Sequence, residues 1–300
     1  MNAHPDAAAV YLTSPDYFGV LSPIEQIAKI CRSYDVPLIV DNAHGSHLFY
    51  TSQPHPLEQG ASMTADSPHK TLPVLTGGAW LHIAGERFVS GAKSAMALFG
   101  STSPPYPTMA SLDLCAAWLE QYGKEAYPRL ENRVSSLKKA ALSLGYTLPE
   151  GPCDPTRLPL GTSALGIDGS ALADCFRQNG VEPEYADSAN AVLIATPFNT
   201  EEDFLRLENA MEQGVLLPKT EKPFSGLTLP PQPPVSCSLR EASFAPQETV
   251  PLANAVGRIA AEAACPCPPG IPAVMMGEIL TRETAEFLRG YGFFSVKVVE

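Results

Sequence analysis

The sequence predicts an α/β fold built on a mostly parallel sheet. Short apolar runs within residues 10–83 are typical of buried strands, and the first two are separated by a helical pattern. A proline or a polar residue follows several of these runs, which favours turns between the elements. Strands that alternate with helices in this way are typical of sheets whose faces are covered by helices.

The first strand is predicted at Val10–Thr13, where the apolar run stops before a Ser-Pro pair. A helix is predicted over Pro23–Tyr34, because apolar residues recur on one face. Ser22 is expected to cap this helix, with Glu25 three residues further on. Three more strands are predicted at Val36–Val40, Ala61–Ala65 and Gly78–Ile83.

The rest of the chain alternates long helical patterns with single strands. A helical pattern runs from Ser111 to Leu144, and we expect a break near Gly123 or Pro128. Further elements are predicted as a helix at Gly169–Asn179, a strand at Ala191–Thr196, and helices near Pro251–Ala264 and Thr281–Tyr291.

These patterns predict three domains. Residues 1–145 form part of a major domain, residues 146–228 a small αβ domain, and residues 235–300 a C-terminal segment. The proline-rich stretch at 230–234 is expected to act as a stiff connector between the last two.

Composition excludes several classes of protein. The formal net charge of −12 argues against a nucleic-acid partner, which normally meets a basic face. Seven scattered cysteines without a Cys-x-x-Cys pair predict no structural zinc site, and Cys267 is expected to pack rather than react. No apolar run approaches the ~20 residues of a membrane span. The absence of a signal peptide and the odd cysteine count favour the cytoplasm.

Two polar residues follow neighbouring strands of the predicted sheet. Asp41 ends one strand and Lys70 comes shortly after the next. Ligands of parallel α/β sheets bind at the carboxyl ends of the strands, so both residues are expected in one crevice. Pyridoxal phosphate (PLP) requires a lysine for its imine and an anion at its pyridinium nitrogen. A strand-end aspartate and an unrelated surface lysine would give the same pattern.

Several sequence blocks resemble consecutive blocks of the Orn/Lys/Arg decarboxylases, which are PLP enzymes of fold type I. The order of the blocks matches throughout, so the resemblance covers nearly the whole chain. The blocks are Thr13–Gly19 (Thr-Ser-Pro-Asp-Tyr-Phe-Gly), Asp41–His47 (Asp-Asn-Ala-His-Gly-Ser-His), Asp66–Pro73 (Asp-Ser-Pro-His-Lys-Thr-Leu-Pro), Ser101–Pro104, Arg240–Ala245, Val256–Ala260 and Pro268–Pro272.

The resemblance assigns roles to the central residues. Lys70 matches the Schiff-base lysine, and Asp41 matches the acid at the pyridine nitrogen. Ala43 matches the small residue against one face of the ring. His44 matches a histidine that hydrogen-bonds the phenolic oxygen of PLP, with a capping or core role as the alternative. The resemblance therefore implies Lys70 and His44 as the catalytic pair.

Three more residues are implied as phosphate contacts. Ser67 and His69 match contacts to the phosphate of the same chain, and Ser101 matches a residue that reaches the phosphate of a neighbouring subunit. Turn residues at Ser67 and Ser101 are the alternatives. A homodimer or a higher homo-oligomer is therefore expected.

The chain also departs from the family pattern. The family has a longer N-terminal part with a Pro-Gly-His segment and a phosphate loop at a helix N-terminus, and neither is found here. We therefore expect an N-terminally truncated major domain with lowered affinity for PLP. Asn42 stands where the family usually has Glu, and Met276 stands where it usually has Pro.

The resemblance implies PLP-dependent decarboxylation of a basic amino acid, which is lysine, arginine or ornithine. The truncation leaves the activity of the chain by itself open. An aminotransferase or another PLP lyase of the same fold would share Asp41 and Lys70. A non-catalytic fragment or partner subunit is the remaining alternative. Neither a metal nor a membrane enters any of these interpretations.

Overall fold

Four strands form the first sheet, in the order β1-β2-β3-β4, and the computed structural model describes residues 4–220, 229–266 and 270–300. The pairs β1–β2 and β2–β3 are parallel, whereas β4 runs antiparallel to β3. The predicted mostly parallel sheet is therefore present, with one reversed strand. The strands are β1 Val10–Thr13, β2 Leu38–Asn42, β3 Met63–Asp66 and β4 Trp80–Ile83.

Helix α1 (Ile24–Ser33) covers one face of this sheet. It buries Ile24, Ala28 and Cys31 against Leu38 and Val40 of β2. Burial alternates along β2, so its neighbouring side chains point to opposite faces of the sheet. The first helix was predicted at this place.

The predicted cap of α1 was wrong. Pro23 occupies the cap position without a side-chain hydrogen bond, and the carbonyl of Ser22 accepts from the amide of Ile24. No amide of α1 donates to the Ser22 hydroxyl. The amide of Ser22 itself donates to the Ser14 hydroxyl. The Ser-Pro pair at 22–23 therefore turns the chain into the helix through its backbone.

Helix α2 (Pro68–Thr71) lies between β3 and β4, and three helices follow β4: α3 Glu86–Phe99, α4 Tyr106–Trp118 and α5 Lys124–Ser143. A single π-helical turn at Leu119–Gly123 joins α4 to α5, near the predicted break at Gly123. A Cβ at Gly123 would lie 2.5 Å from the Tyr50 ring, so only glycine allows this close approach. Pro128 lies inside α5 without ending it.

A second sheet of three antiparallel strands follows, in the order β5-β7-β6. Its strands are β5 Arg157–Gly161, β6 Tyr185–Ala186 and β7 Asn190–Ile194. Two helices, α6 (Gly169–Gln178) and α7 (Glu201–Gly214), pack with α5 and this sheet in one apolar core. Helix α6 and strand β7 were predicted from the sequence; α7 and β5 were not singled out.

The C-terminal part has its own small core around two antiparallel strands. Its elements are α8 Leu239–Phe244, β8 Gln247–Pro251, α9 Leu252–Ala255, α10 Arg282–Gly290 and β9 Ser295–Val299. The predicted helix over Pro251–Ala264 was wrong beyond Ala255. Gly257 has φ +86°, and Ile259, Ala260 and Ala264 then form isolated β-bridges with other segments. Small apolar residues here fill a bridged, extended segment rather than a helix face.

The chain divides into two compact units, Met1–Phe224 and Ser225–Glu300. The finer division at residue 145 stays a prediction. The predicted boundary at 228, Cys267 and the first residues of the Pro268–Pro272 block lie outside the described residues. In the part of the chain that is described, none of the helices combines the length and apolar character that a bilayer crossing requires.

Candidate active site

The carboxyl ends of β2 and β3 bring the predicted central residues to one edge of the first sheet. Asp41 lies in β2 opposite Ala65 of β3, and these two strands run parallel. Lys70 follows β3 in the short helix α2. The turn after β2 carries Ala43 and His44. Asp41 and Lys70 thus follow neighbouring parallel strands, and their sharing of one crevice stays a prediction.

The carboxylate of Asp41 is held by two donors. Its Oδ1 accepts the amide of Ala43 at 3.1 Å, and its Oδ2 accepts the hydroxyl of Tyr11 at 3.3 Å. Burial and the nearby Asp41 carboxylate raise the pKa of Tyr11, so the phenol stays a donor. Asp41 and Ala43 are both half-buried, and the carboxylate is therefore oriented yet not sealed from a ligand.

His44 is the centre of the cluster. Its Nε2 lies 3.3 Å from Nζ of Lys70, and its Nδ1 lies 3.4 Å from both terminal nitrogens of Arg157. Burial, with the positive charges of Arg157 and Lys70, lowers the pKa of His44 from 6.5 to about 3. The imidazole is therefore neutral at physiological pH, and it can donate from only one of its two nitrogens.

A buried polar group lies behind His44 and was missed by sequence reasoning. Arg157 and Asp154 are each 0% exposed, and Nε of Arg157 lies 3.7 Å from Oδ2 of Asp154. Asp154 Oδ1 accepts from the amide and hydroxyl of Thr156 and lies 3.0 Å from Nε2 of His47. Although burial raises it, His47, Arg157 and the amide of Thr156 together hold the pKa of Asp154 well below its usual range.

No local signal in the sequence identifies this group. Asp154 and Arg157 stand in a stretch with prolines at 152, 155 and 159, which is typical of a loop rather than of a buried strand. Charged residues of a loop are mostly exposed, so the sequence around this pair does not indicate that it is buried.

Tyr17 and Tyr185 form an aromatic wall beside His44. The Tyr17 ring lies edge-on to His44 with centroids 4.9 Å apart, and its hydroxyl donates to Glu184 at 3.0 Å. Tyr185 lies 5.4 Å from Tyr17 in a second edge-on contact. The contact of Tyr17 with His44 favours a position that lines the site over one beneath it.

The two residues predicted to contact the phosphate of the same chain differ in their hydrogen bonds. No hydrogen bond of the Ser67 hydroxyl to another described residue is observed, so it can serve a ligand. His69 donates from Nδ1 to the carbonyl of Gly78 at 2.7 Å. As a neutral ring it would then offer an acceptor at Nε2, whereas a phosphate requires a donor. A phosphate contact from His69 therefore requires the protonated ring.

Ser101 is not joined to this cluster by any hydrogen bond between described residues. It is exposed in the loop after α3, and its hydroxyl accepts the amide of Ser103 at 3.2 Å. This local bond is typical of a turn. Its contact with a neighbouring subunit stays a prediction.

A second buried network supports the strand ends from behind. Asp66 is 1% exposed, and its Oδ2 accepts from Asn42 and from Nε2 of His55, both at 3.0 Å. Nδ1 of His55 accepts the amide of Leu57, which assigns the hydrogen to Nε2. Asn42 neighbours Asp41 and Asp66 opens the Lys70 block, so this network fixes the two strand ends relative to each other.

Family models match both ends of the chain. Residues 1–145 match the Orn/Lys/Arg decarboxylase major domain, and residues 232–295 match the Orn/Lys/Arg decarboxylase C-terminal domain. The arginine decarboxylase of Bacillus subtilis is 31% identical over 311 residues, covering 96% of this chain and 62% of the relative. The arginine decarboxylase of Bacillus anthracis is 30% identical and is covered to the same extent.

Solved structures show the same fold. The constitutive lysine decarboxylase of E. coli superposes with a TM-score of 0.74 at 19% identity, covering 98% of this chain and 58% of that protein. The alanine–glyoxylate aminotransferase of Nostoc sp. gives a TM-score of 0.54 at 18% identity, over 72% of this chain and 63% of that protein. An SPT structure with PLP gives 0.56 at 12% identity, over 69% of this chain and 54% of that protein. The chain therefore has the architecture of the fold type I PLP enzymes.

The chain spans about 62% of the length of the curated relatives that it matches. Both family models carry the same family description, and they match in the order in which the sequence blocks occur. The resemblance seen in those blocks is thus confirmed, and the chain belongs to the Orn/Lys/Arg decarboxylase family.

Proposed function

We propose that this chain carries the lysine and the ring-binding residues of a PLP site that serves the decarboxylation of a basic amino acid. The observation that carries the proposal is the contact of Lys70 with His44 beside Asp41, at the carboxyl ends of two parallel strands. Parallel α/β sheets bind their ligands at this edge. The names of the related arginine and lysine decarboxylases support the reaction class.

The residues at this edge fit PLP in five respects. Lys70 is exposed and carries the amine that would hold the aldehyde carbon. Asp41 would hold a proton on the pyridine nitrogen, and the small Ala43 side chain leaves room for a ring. His44 offers a neutral imidazole for the phenolic oxygen. The Ser67 hydroxyl, without a hydrogen bond to other described residues, would serve the phosphate.

Each residue has a distinct task in the proposed reaction. Bound PLP supplies an electron sink for the pair that remains when carbon dioxide leaves. Asp41 would stabilise that sink by keeping the ring nitrogen protonated. Lys70 would hold the cofactor and, once a substrate amine has taken its place, could deliver a proton to the α-carbon. Burial and the charges of Arg157 and Lys70 lower the pKa of His44 to about 3, which favours Lys70 over His44 as the acid of this step.

An aminotransferase is the less favoured candidate. Such enzymes usually hold the substrate carboxylate with an arginine of the small domain. Arg157 is an arginine of that region near the cluster, yet it is 0% exposed and bound to Tyr17 and His44. Its guanidinium is therefore not available to a substrate carboxylate. Arginine, lysine and ornithine all remain within the proposed substrate class.

Adding PLP to the purified chain tests the proposal. We expect an absorbance band at about 420 nm, the region of lysine-bound PLP. Borohydride reduction followed by peptide mass spectrometry should place the label on Lys70. Lys70→Ala should abolish both signals, whereas Lys139→Ala, which changes an exposed lysine of α5, should leave them intact. No band in the wild type, or a label on another lysine, would contradict the site.

Activity is measured separately from cofactor binding. Release of labelled carbon dioxide from arginine, lysine or ornithine tests the reaction class, and light scattering tests the proposed homo-oligomer. A band without carbon dioxide release would support a PLP-binding but non-catalytic subunit. Amino-group transfer to an oxo acid instead would favour the aminotransferase.

A further inference from the structure

Arg157 faces one of the two ring nitrogens of His44. A guanidinium has only donors and stays charged in proteins. Both of its terminal nitrogens lie 3.4 Å from Nδ1 of His44, so Nδ1 must accept. The single hydrogen of the neutral imidazole is then on Nε2, the nitrogen that lies 3.3 Å from Lys70.

Lys70 could compete with Arg157 for His44. An ammonium at Lys70 would also donate, to Nε2, and a neutral imidazole cannot accept at both nitrogens. Burial decides between the two. Lys70 is exposed, so water can take its hydrogens, whereas Arg157 is 0% exposed and depends on its protein partners. The arrangement therefore favours acceptance at Nδ1.

The position of Arg157 is itself held from three sides. One terminal nitrogen donates to the carbonyl of Tyr17 at 2.8 Å, and Asp154 balances the buried charge. Gly19 permits the close approach, because a Cβ there would lie 2.9 Å from Cδ of Arg157. The guanidinium thus cannot turn away from His44 without losing several contacts.

We propose that Arg157 is a positioning residue that holds His44 in the neutral Nε2–H form and so makes it a hydrogen-bond donor on the side of Lys70. Lys70 accepts this hydrogen only as a free amine, which is also the form that attacks an aldehyde. A deprotonated phenolic oxygen can only accept, so the same form of His44 suits the cofactor. This last step rests on the proposed function, whereas the form of His44 does not.

Nitrogen NMR of the PLP-free chain tests the proposal directly. In protein with ¹⁵N-labelled histidine, long-range spectra distinguish the two neutral forms of each ring, and His44→Asn identifies the signal. A bond to a charged donor should favour Nε2–H in the wild type by roughly tenfold or more. In Arg157→Met the ratio of Nε2–H to Nδ1–H should fall by roughly tenfold, because Lys70 is then the only charged donor at the ring.

Two controls separate this role from general damage to the fold. Arg133→Met removes a part-buried arginine that pairs with Glu201 and Glu208 of α7, and His44 should keep its form. His47 serves as an internal reference in each spectrum. The Asp154 carboxylate can only accept, so it keeps a hydrogen on Nε2 of His47. Arg157→Lys retains a charged donor, and we expect it to retain the wild-type form of His44.

The outcomes distinguish this proposal from the proposed function. An Nδ1–H form of His44 in the wild type, or an unchanged ratio in folded Arg157→Met, overturns the role of Arg157. If Arg157→Met does not fold, the wild type and Arg157→Lys decide: Nδ1–H in either overturns it, and Nε2–H in both supports it. If the absorbance band at about 420 nm is absent while the NMR result is as expected, only the PLP site is overturned.

Discussion

Changing His44 to asparagine should remove a pH dependence from the stability of the Met1–Phe224 unit. In the folded chain, burial, Arg157 and Lys70 lower the pKa of His44 from 6.5 to about 3, with His47 adding to this and Asp154 opposing it. In the unfolded chain the ring is exposed and keeps its ordinary pKa. Below pH 6.5 the unfolded state therefore binds a proton that the folded state does not.

The sign and size of the effect follow from this difference. Because the folded pKa is the lower one, the stabilisation is fully present above 6.5 and is lost as the pH falls towards 3. At pH 5 the solution is about 1.5 units below the unfolded pKa, and each unit corresponds to about 1.4 kcal/mol. The wild type should therefore lose about 2 kcal/mol more than His44→Asn between pH 7.5 and pH 5.

Urea unfolding followed by tryptophan fluorescence measures this loss. Trp80 and Trp118 are the two tryptophans of the chain, and both lie in Met1–Phe224. The signal therefore reports on the unit that contains His44. His44→Gln should behave as His44→Asn does, because neither amide titrates. Equal losses of stability in the wild type and both variants would refute the reasoning.

Two further substitutions test the contacts around the strand ends. Gly19→Ala should cost about 1–3 kcal/mol of unfolding free energy, because Gly19 has a positive φ and its new Cβ would meet Arg157. Gly77→Ala should cost less, because Gly77 has a positive φ but open space around it. Asp66→Ala should cost about 3 kcal/mol or more by leaving a buried amide and a buried imidazole without their acceptor. Asp174→Ala, at an exposed ion pair on α6, should change stability by less than about 1 kcal/mol. Urea unfolding measures all four, and equal costs within either pair would contradict the assigned contacts.

The strands of the first sheet could be predicted because burial and local pattern agree there. Leu38 and Val40 lie in a short apolar run, and the structure buries both in β2. The direction of β4 was not predictable in the same way. Its apolar run would suit either direction, and the chain reverses through the short turn that ends at Gly78. Strand direction depends on how the connection packs, which local pattern does not describe.

Candidate site residues could be named from the sequence where the chemistry requires one residue type. Lys70 and Asp41 were named because few side chains can form an imine or hold a pyridinium, and the resemblance placed them in order. Arg157 and Asp154 were not found. Their role depends on a contact between residues more than a hundred positions apart, and Arg157 stands 113 positions from His44. A single sequence carries no local mark of such a contact.

Arg157 also explains why three separate segments meet at one point. The turn at Thr13–Gly19 supplies a carbonyl and a glycine, the turn after β2 supplies His44, and β5 supplies the arginine itself. A buried ion pair such as Arg157–Asp154 contributes little to net stability, because desolvation offsets the attraction between the charges. The pair is 3.7 Å apart at its nearest charged atoms, so the terminal nitrogens of Arg157 remain for Tyr17 and His44. Burying this charge therefore serves orientation, because Arg157 holds the His44 ring against the amine at position 70.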